Sequence, residues 1–229
     1  MRVRHALGVE GARDASGVVV VIDVLRAFTV SAFALAGGAL ECLLVPTIDE
    51  ARELAASIPG AVISAEVDSL PVPGIAISNS PTQISRADVR GRSVIQRTSA
   101  GTPVINAVPE GLAVYAGSLV VAAATARACL SRRPESVTLV ASADFPEDRA
   151  CAQYIAEILG GERPHIDELL KSLFESERYG RLAQGAWPGF PKTDLDLALA
   201  PDRFDFAMPA TRHGGHVRLQ RDDHPAAPK

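Results

Sequence analysis

The chain has 229 residues, of which 47% are hydrophobic, enough to bury a core without disulfides or a structural metal. Its 23 Lys and Arg against 27 Asp and Glu give a net charge of -4 with no basic stripe, which excludes a general affinity for nucleic acid. Cys42, Cys129 and Cys151 are odd in number and lack CxxC or CxxH spacing, so they exclude a disulfide framework and point to a reduced, cytoplasmic setting.

The opening MRVRHALGVEGARD alternates charged with apolar residues and contains no apolar block of the kind a secretion signal needs, so it reads as part of the mature chain. VVVVID, Val18 to Asp23, is a β-branched run without alternation, the pattern of a strand covered on both faces. Leu25, Phe28, Ala32, Phe33, Leu35 and Ala36 then recur at helical spacing up to Gly37-Gly38. A strand is expected at Leu40 to Val45. The long apolar stretch from Ala27 to Val45 is thus a buried helix and a buried strand; Gly37-Gly38 and Glu41 argue against a membrane span. Thr47 and Glu50 have the spacing of a capping box at the head of a helix that ends before Pro59-Gly60.

AVISAE, SVIQR, LAVYAGS and SVTLVAS continue as strands. They alternate with helical patterns at Thr102 to Val108, Val120 to Leu130 and Asp148 to Leu159. This order predicts an α/β fold, a mostly parallel or mixed sheet between two helical layers in an α/β/α arrangement. Asp68 to Gln83, with Pro71, Pro73, Gly74 and Pro81, reads as a long connection at the sheet edge or over a site. HIDELLKSLFESER predicts one amphipathic helix with Ile166, Leu169, Leu170, Leu173 and Phe174 on its apolar face, DLDLALAPDRFDFAMPATR a short helix and a last strand, and HPAAPK a frayed end. The whole chain, 1–229, is read as a single domain on which the part from 161 onward packs.

Ligands of open parallel sheets gather at the carboxyl ends of the strands. Asp23, Glu66, Glu147 and Asp148 stand at or just beyond such ends, as do Arg26 and the run Arg97, Thr98, Ser99, Ala100, Gly101, Thr102. Clustered carboxylates need a cation between them, and hard oxygen donors suit Mg2+. Arginines and amides at a helix start would neutralise a phosphoryl group. Each signal has a plainer reading. Asp23 is also a natural helix N-cap, Arg26 a surface cation, Asn79-Ser80-Pro81 a capped helix start, and Glu147 with Asp148 a first-turn complement to the helix dipole.

Taken together and in this order, IDVLRAFTV, ISNSP, QRTSAGT and FPEDRACAQYIAEIL resemble the 2-phosphosulfolactate phosphatase family, over roughly Val18 to Gly160 and again at DRFDF. The resemblance implies Mg2+-dependent hydrolysis of a phosphate monoester of a small anionic acid, as in coenzyme M biosynthesis. It implies Asp23 and Glu66 as metal ligands, with Asp23, Arg26, Arg97, Glu147 and Asp148 catalytic. Arg26, Asn79, Ser80, Arg97, Thr98, Ser99, Gly101 and Thr102 become the substrate-binding set. Attack by a metal-oriented water and a phospho-aspartyl route through Asp23 are both open. The partners expected are a small anionic phosphate ester, no nucleic acid and no membrane, with a homodimer allowed.

Ala76 stands where the family usually has an acid, and this favours a second reading, a non-catalytic anion or metabolite binder. Other phosphatase chemistries are excluded. Leu25 occupies the position of the second acid of a haloacid-dehalogenase motif, no Cys has an Arg-flanked phosphate loop, and neither GxGxxG nor a P-loop occurs.

Overall fold

In a computed structural model of the chain, which describes residues 1–223, the opening segment is ordered. β1 (Arg2–Leu7) and α1 (Gly8–Arg13) precede the first expected strand. β1 is an edge strand, and its side chains are mostly exposed on both faces, so the sequence carries little burial signal for it. The HPAAPK tail lies outside the described residues.

The expected alternation follows. It runs β2 (Val18–Ile22), α2 (Ala27–Ala36), β3 (Glu41–Val45), α3 (Ile48–Ser57), β4 (Val62–Val67), a short β5 (Leu70–Pro71) and α4 (Pro81–Ile84). Next come β6 (Ser93–Arg97), α5 (Gly101–Ala107), β7 (Val114–Gly117), α6 (Ala122–Ser131), β8 (Ser136–Ala141) and α7 (Pro146–Leu159). The capping box at α3 is complete: the Thr47 hydroxyl accepts the Glu50 amide at 3.2 Å, and the Glu50 carboxylate accepts the Thr47 amide at 3.0 Å.

Two expectations for the last third are corrected. The single helix over HIDELLKSLFESER is three short ones, α8 (Ile166–Leu169), α9 (Lys171–Phe174) and α10 (Glu177–Ala183). Leu170 and Leu173 are buried but Phe174 is 42% exposed. The Ser176 hydroxyl accepts the Tyr179 amide at 3.1 Å, so a new cap interrupts the apolar face. After α11 (Thr193–Ala198), the single last strand is a hairpin, β9 (Met208–His213) and β10 (His216–Leu219). It turns at Gly214-Gly215 with φ of +43° and +101°, a region that glycine enters without a steric cost.

The sheet order is β1-β8-β2-β7-β9-β10-β3-β6-β4-β5. β1, β8, β2 and β7 are parallel to one another, as are β3, β6 and β4, and the β9–β10 hairpin joins these halves through antiparallel pairings. Side chains alternate between the faces. Val19 and Val21 of β2 join Cys42 and Leu44 of β3 around α2, which is buried along nearly its whole length. Val18, Val20 and Ile22 face α6 and α7 in a second core, and Leu43, Val45 and Ile95 face α3 in a third. Helices therefore cover both faces, giving three layers.

The antiparallel pairings β7–β9, β9–β10 and β10–β3 reverse the strand sense between the halves. Sheet twist of roughly 20–25° per step accumulates over the five steps from β2 to β6 and swings the strand directions back toward each other. The carboxyl ends of β2, β8, β6 and β4 consequently meet near the start of α2. Among the described residues no helix is long and apolar enough to cross a membrane.

Candidate functional site

Asp23 follows directly on β2 and is 5% exposed. Its Oδ1 accepts the Ala27 amide at 3.0 Å, so Asp23 does cap the first turn of α2. Its Oδ2 is turned toward Gly101. Burial raises the Asp23 carboxyl from the ordinary 3.8 to about 6, and the charges of Glu66 and Glu147 add to the rise. Asp148 accepts the Val24 amide at 2.8 Å and the Ser142 hydroxyl at 3.0 Å. Burial first, then the neighbouring Asp23 charge, pushes its carboxyl well above the usual range.

Glu147 and Asp148 lie in the first turn of α7, which Pro146 opens. Glu147 is fully buried. Its Oε1 accepts from Arg178 Nε at 3.2 Å and Nη2 at 3.0 Å, while its Oε2 has no partner. Glu66, at the end of β4, accepts the Ser99 amide at 2.6 Å, the Ser99 hydroxyl at 3.2 Å and the Ser69 amide at 2.5 Å.

Of these acids, Asp23 and Glu66 line a cavity of about 80 Å³, together with Leu25, Arg26, Ser69, Asn79, Thr98, Ser99, Ala100, Ser142, Phe145 and Arg178, while Glu147 and Asp148 are buried outside its lining. Larger hollows elsewhere, up to about 550 Å³ beside β1, contain none of the clustered acids. The small one has room for a phosphate-sized group, not for a nucleotide.

Arg26 is not the surface cation of the plain reading. Its Nη1 donates to Asp194 at 2.7 Å and to the Gly189 carbonyl at 2.8 Å, and its guanidinium lies 4.4 Å from the Phe190 ring centroid. Asn79 lines the cavity, its Oδ1 accepting from Gln96 at 3.2 Å. Ser80 lies behind it, donating to Asp194 at 2.8 Å and capping α4. Thr98 and Ser99 reach the cavity, whereas Thr102 is fully buried beside Thr98. Arg97 is outside the ring: its Nε donates to the Pro46 carbonyl and its Nη1 to the Glu66 carbonyl and the Ser99 hydroxyl, so it braces the wall. Ser69, Arg178 and Asp194 join the site without a local motif to announce them, and Phe145 joins from the FPEDRACAQYIAEIL motif although the sequence does not mark it as a candidate site residue.

Gly101 permits the approach of α5 to Asp23. A Cβ there would sit 2.9 Å from Phe28 Cζ and 3.1 Å from Asp23 Oδ2. Gly101→Ala is expected to cost about 1–3 kcal/mol by overpacking. It should also lower activity at least tenfold by displacing the carboxylate, on the order of the loss a small misplacement causes. Thermal melts and initial rates check both, and unchanged rates would show that this contact does not set the Asp23 position.

Whether a cation fits can be read from the free oxygens. Among the described residues no three acidic, His or Cys side chains converge into a cage, which disfavours a zinc-type site. Asp148 and Glu66 spend both carboxylate oxygens on protein donors, whereas Glu147 Oε2 is orphaned and Asp23 Oδ2 has only the neighbouring Gly101 backbone amide beside it. The spare Glu147 oxygen is buried outside the cavity lining and no ready-made metal cage exists among the described residues, so a cation here would rest on Asp23 with water and substrate oxygens, a hard-oxygen donor set of the kind Mg2+ accepts.

A family model described as 2-phosphosulpholactate phosphatase matches residues 7–208. The chain is 32% identical over 209 residues, 88% of its length and 90% of the relative's, to a probable 2-phosphosulfolactate phosphatase of Bacillus subtilis (strain 168). It is 34% identical to one from Carboxydothermus hydrogenoformans over 148 residues, 63% of this chain and 61% of that one. With one from Deinococcus radiodurans it shares 36% identity over 124 residues, 54% of this chain and 52% of that one.

Proposed function

Because this chain belongs to the 2-phosphosulpholactate phosphatase family, we propose that it is a Mg2+-dependent phosphatase acting on the phosphate monoester of a small anionic acid, with 2-phosphosulfolactate as the first candidate. One observation carries the reading: two acids, Asp23 and Glu66, and two arginines, Arg26 and Arg178, line a single phosphate-sized cavity, while Glu147 and Asp148 are buried beside Asp23 and Glu147 Oε2 is left without a partner.

When bound, the cation supplies Lewis-acid neutralisation of the phosphoryl oxygens and a more acidic water. Asp23 would hold it together with Glu147 or Glu66. Each has half of the claim: Glu66 lines the cavity but both its oxygens already accept protein hydrogen bonds, and Glu147 has a spare oxygen but is buried outside the lining. Arg26 lines the cavity as a cation, and Asn79 and the Thr98-Ser99-Ala100 segment line it too, Ser99 lying against Glu66. Asp148 fixes the Val24 amide and Ser142, and so holds the strand ends that carry Asp23. Water attack and a phospho-aspartyl route would both use the Asp23 Oδ2 that is not spent on capping α2.

The binder reading rested on Ala76. That residue is exposed and lines a separate hollow with Ala61, Val62 and Arg92, so an acid there would add nothing to the cavity. The reduced cytoplasm remains the compartment we assign, on three unpaired buried cysteines, and coenzyme M biosynthesis is the setting that the family resemblance carries.

Phosphate release from 2-phosphosulfolactate with Mg2+, and again after EDTA, tests the proposal. Turnover is expected only with the metal. Tight binding of the ester with no phosphate released at any Mg2+ concentration would return the chain to the class of binders.

A further inference from the structure

Arg178 lies on α10, in a segment where no sequence motif marks a site, yet its side chain lines the cavity. Its guanidinium stacks 3.8 Å from the Phe145 ring centroid, which fixes its plane. Nε and Nη2 both donate to the same Glu147 oxygen, and Nη1 has no hydrogen-bond partner among the described residues. The side chain is 29% exposed while its carboxylate partner is fully buried, so the arginine stands at the mouth and the acid inside. Arg26 is committed differently, its Nη1 held by Asp194 and Gly189.

A cavity of about 80 Å³ takes a phosphate but not the acid portion of its ester, and that portion must lie at the mouth. With Nη1 unspent and its side chain partly exposed, Arg178 keeps a donor for an anionic group at that mouth. We propose that Arg178 binds the second acidic group of the substrate, a carboxylate or sulfonate borne next to the phosphate ester, and thereby sets specificity. This rests on the phosphatase reading of the same cavity.

The test compares 2-phospholactate, 2-(phosphooxy)ethanesulfonate and ethyl phosphate as substrates for the wild type, Arg178→Gln and Arg178→Lys. Gln keeps a side chain over Phe145, and Lys keeps the charge without the fork. Arg178→Gln is expected to lower kcat/KM about 10- to 100-fold, chiefly through KM, for whichever acid-bearing ester is preferred. Ethyl phosphate shares the loss that comes from disturbing Glu147 but not the loss of the acid contact, so kcat/KM for the preferred acid-bearing ester relative to ethyl phosphate should fall at least about fivefold, and Lys should recover part of that ratio. Equal losses on all three esters, or none on the acid-bearing ones, would overturn the proposal. If the wild type turns over none of them and no 2-phosphosulfolactate either, the phosphatase reading fails separately. Calorimetric binding of 2-phospholactate and inorganic phosphate then decides: weaker binding of the first alone sustains the role of Arg178, and parallel changes reject it.

Discussion

Asp23→Asn is expected to abolish Mg2+-dependent turnover while making the protein more stable. Asparagine keeps an oxygen to accept the Ala27 amide, so the cap on α2 survives. The negative charge that would hold the cation is gone, and a loss of at least about 10²- to 10³-fold follows from removing one such contact in a dry site. The stability gain comes from the raised carboxyl. Folded Asp23 keeps its proton to about pH 6, whereas in the unfolded chain it is lost near 3.8. The folded state therefore binds more protons in that window, and stability from this group is lost as pH rises through 6. At about 1.4 kcal/mol per pKa unit, the charged carboxylate above pH 7 costs on the order of 3 kcal/mol. Melts of both proteins in EDTA should diverge by several degrees at pH 8, by about half as much at pH 5 and by little at pH 4. A constant offset would mean that the wild-type carboxyl is already ionised at pH 5. Mg2+ competes with the same proton, so its apparent affinity for wild type should weaken about tenfold per pH unit below 6.

The chain announces what is local. The β-branched run ending at Asp23, the Thr47–Glu50 box and the small-residue loop Thr98 to Gly101 are patterns of adjacent residues, and each forms as read. Carboxylates at strand ends are legible within each half of the sheet, where parallel strands deliver their ends to a common region; that the two halves, opposite in sense, bring Asp23 and Glu66 to one cavity is not. What escaped is set by distance along the chain. Arg178 pairs with Glu147 across 31 residues and Asp194 reaches Ser80 across 114; neither carries a periodicity or a cap that reveals its partner. The hairpin β9–β10 escaped as a sheet centre for the same reason: β7, β3 and Gly214-Gly215 meet only in space. Arg97 shows the converse limit. It stands at a strand end among anion-binding residue types, but backbone carbonyls of Pro46 and Glu66 lie within reach and claim its guanidinium.

Asp194→Ala is expected to produce the largest loss of stability, and to do so through Arg26. Asp194 is fully buried, with Oδ2 accepting from Arg26 at 2.7 Å and Oδ1 accepting the Ser80 hydroxyl at 2.8 Å and the Thr82 amide at 2.9 Å. Removing the carboxylate strands three buried donors, one of them a guanidinium whose side chain is only 4% exposed. Burial already lowers the pKa of Arg26, with Asp194 holding it up, so the unpaired cation would stand in an environment that opposes its charge. A cost of about 3–5 kcal/mol is typical of breaking a buried pair on one side, equivalent to roughly 6–20 °C in Tm for a chain of this size. Catalysis should fall with it, because Asp194 also anchors the Asn79-Ser80-Pro81 turn that lines the cavity. The double variant Arg26→Met with Asp194→Leu separates the two effects. An apolar pair of similar volume should restore much of the stability, since a buried ion pair is seldom better than well-packed hydrocarbon, yet it should leave turnover lost because no guanidinium faces the cavity. Recovery of turnover along with stability would show that Arg26 serves only to pin α11 to the site wall. A loss below about 1 kcal/mol for Asp194→Ala would show instead that solvent reaches the pair, and the rigid placement of Arg26 beside Asp23 and Glu66 would no longer hold.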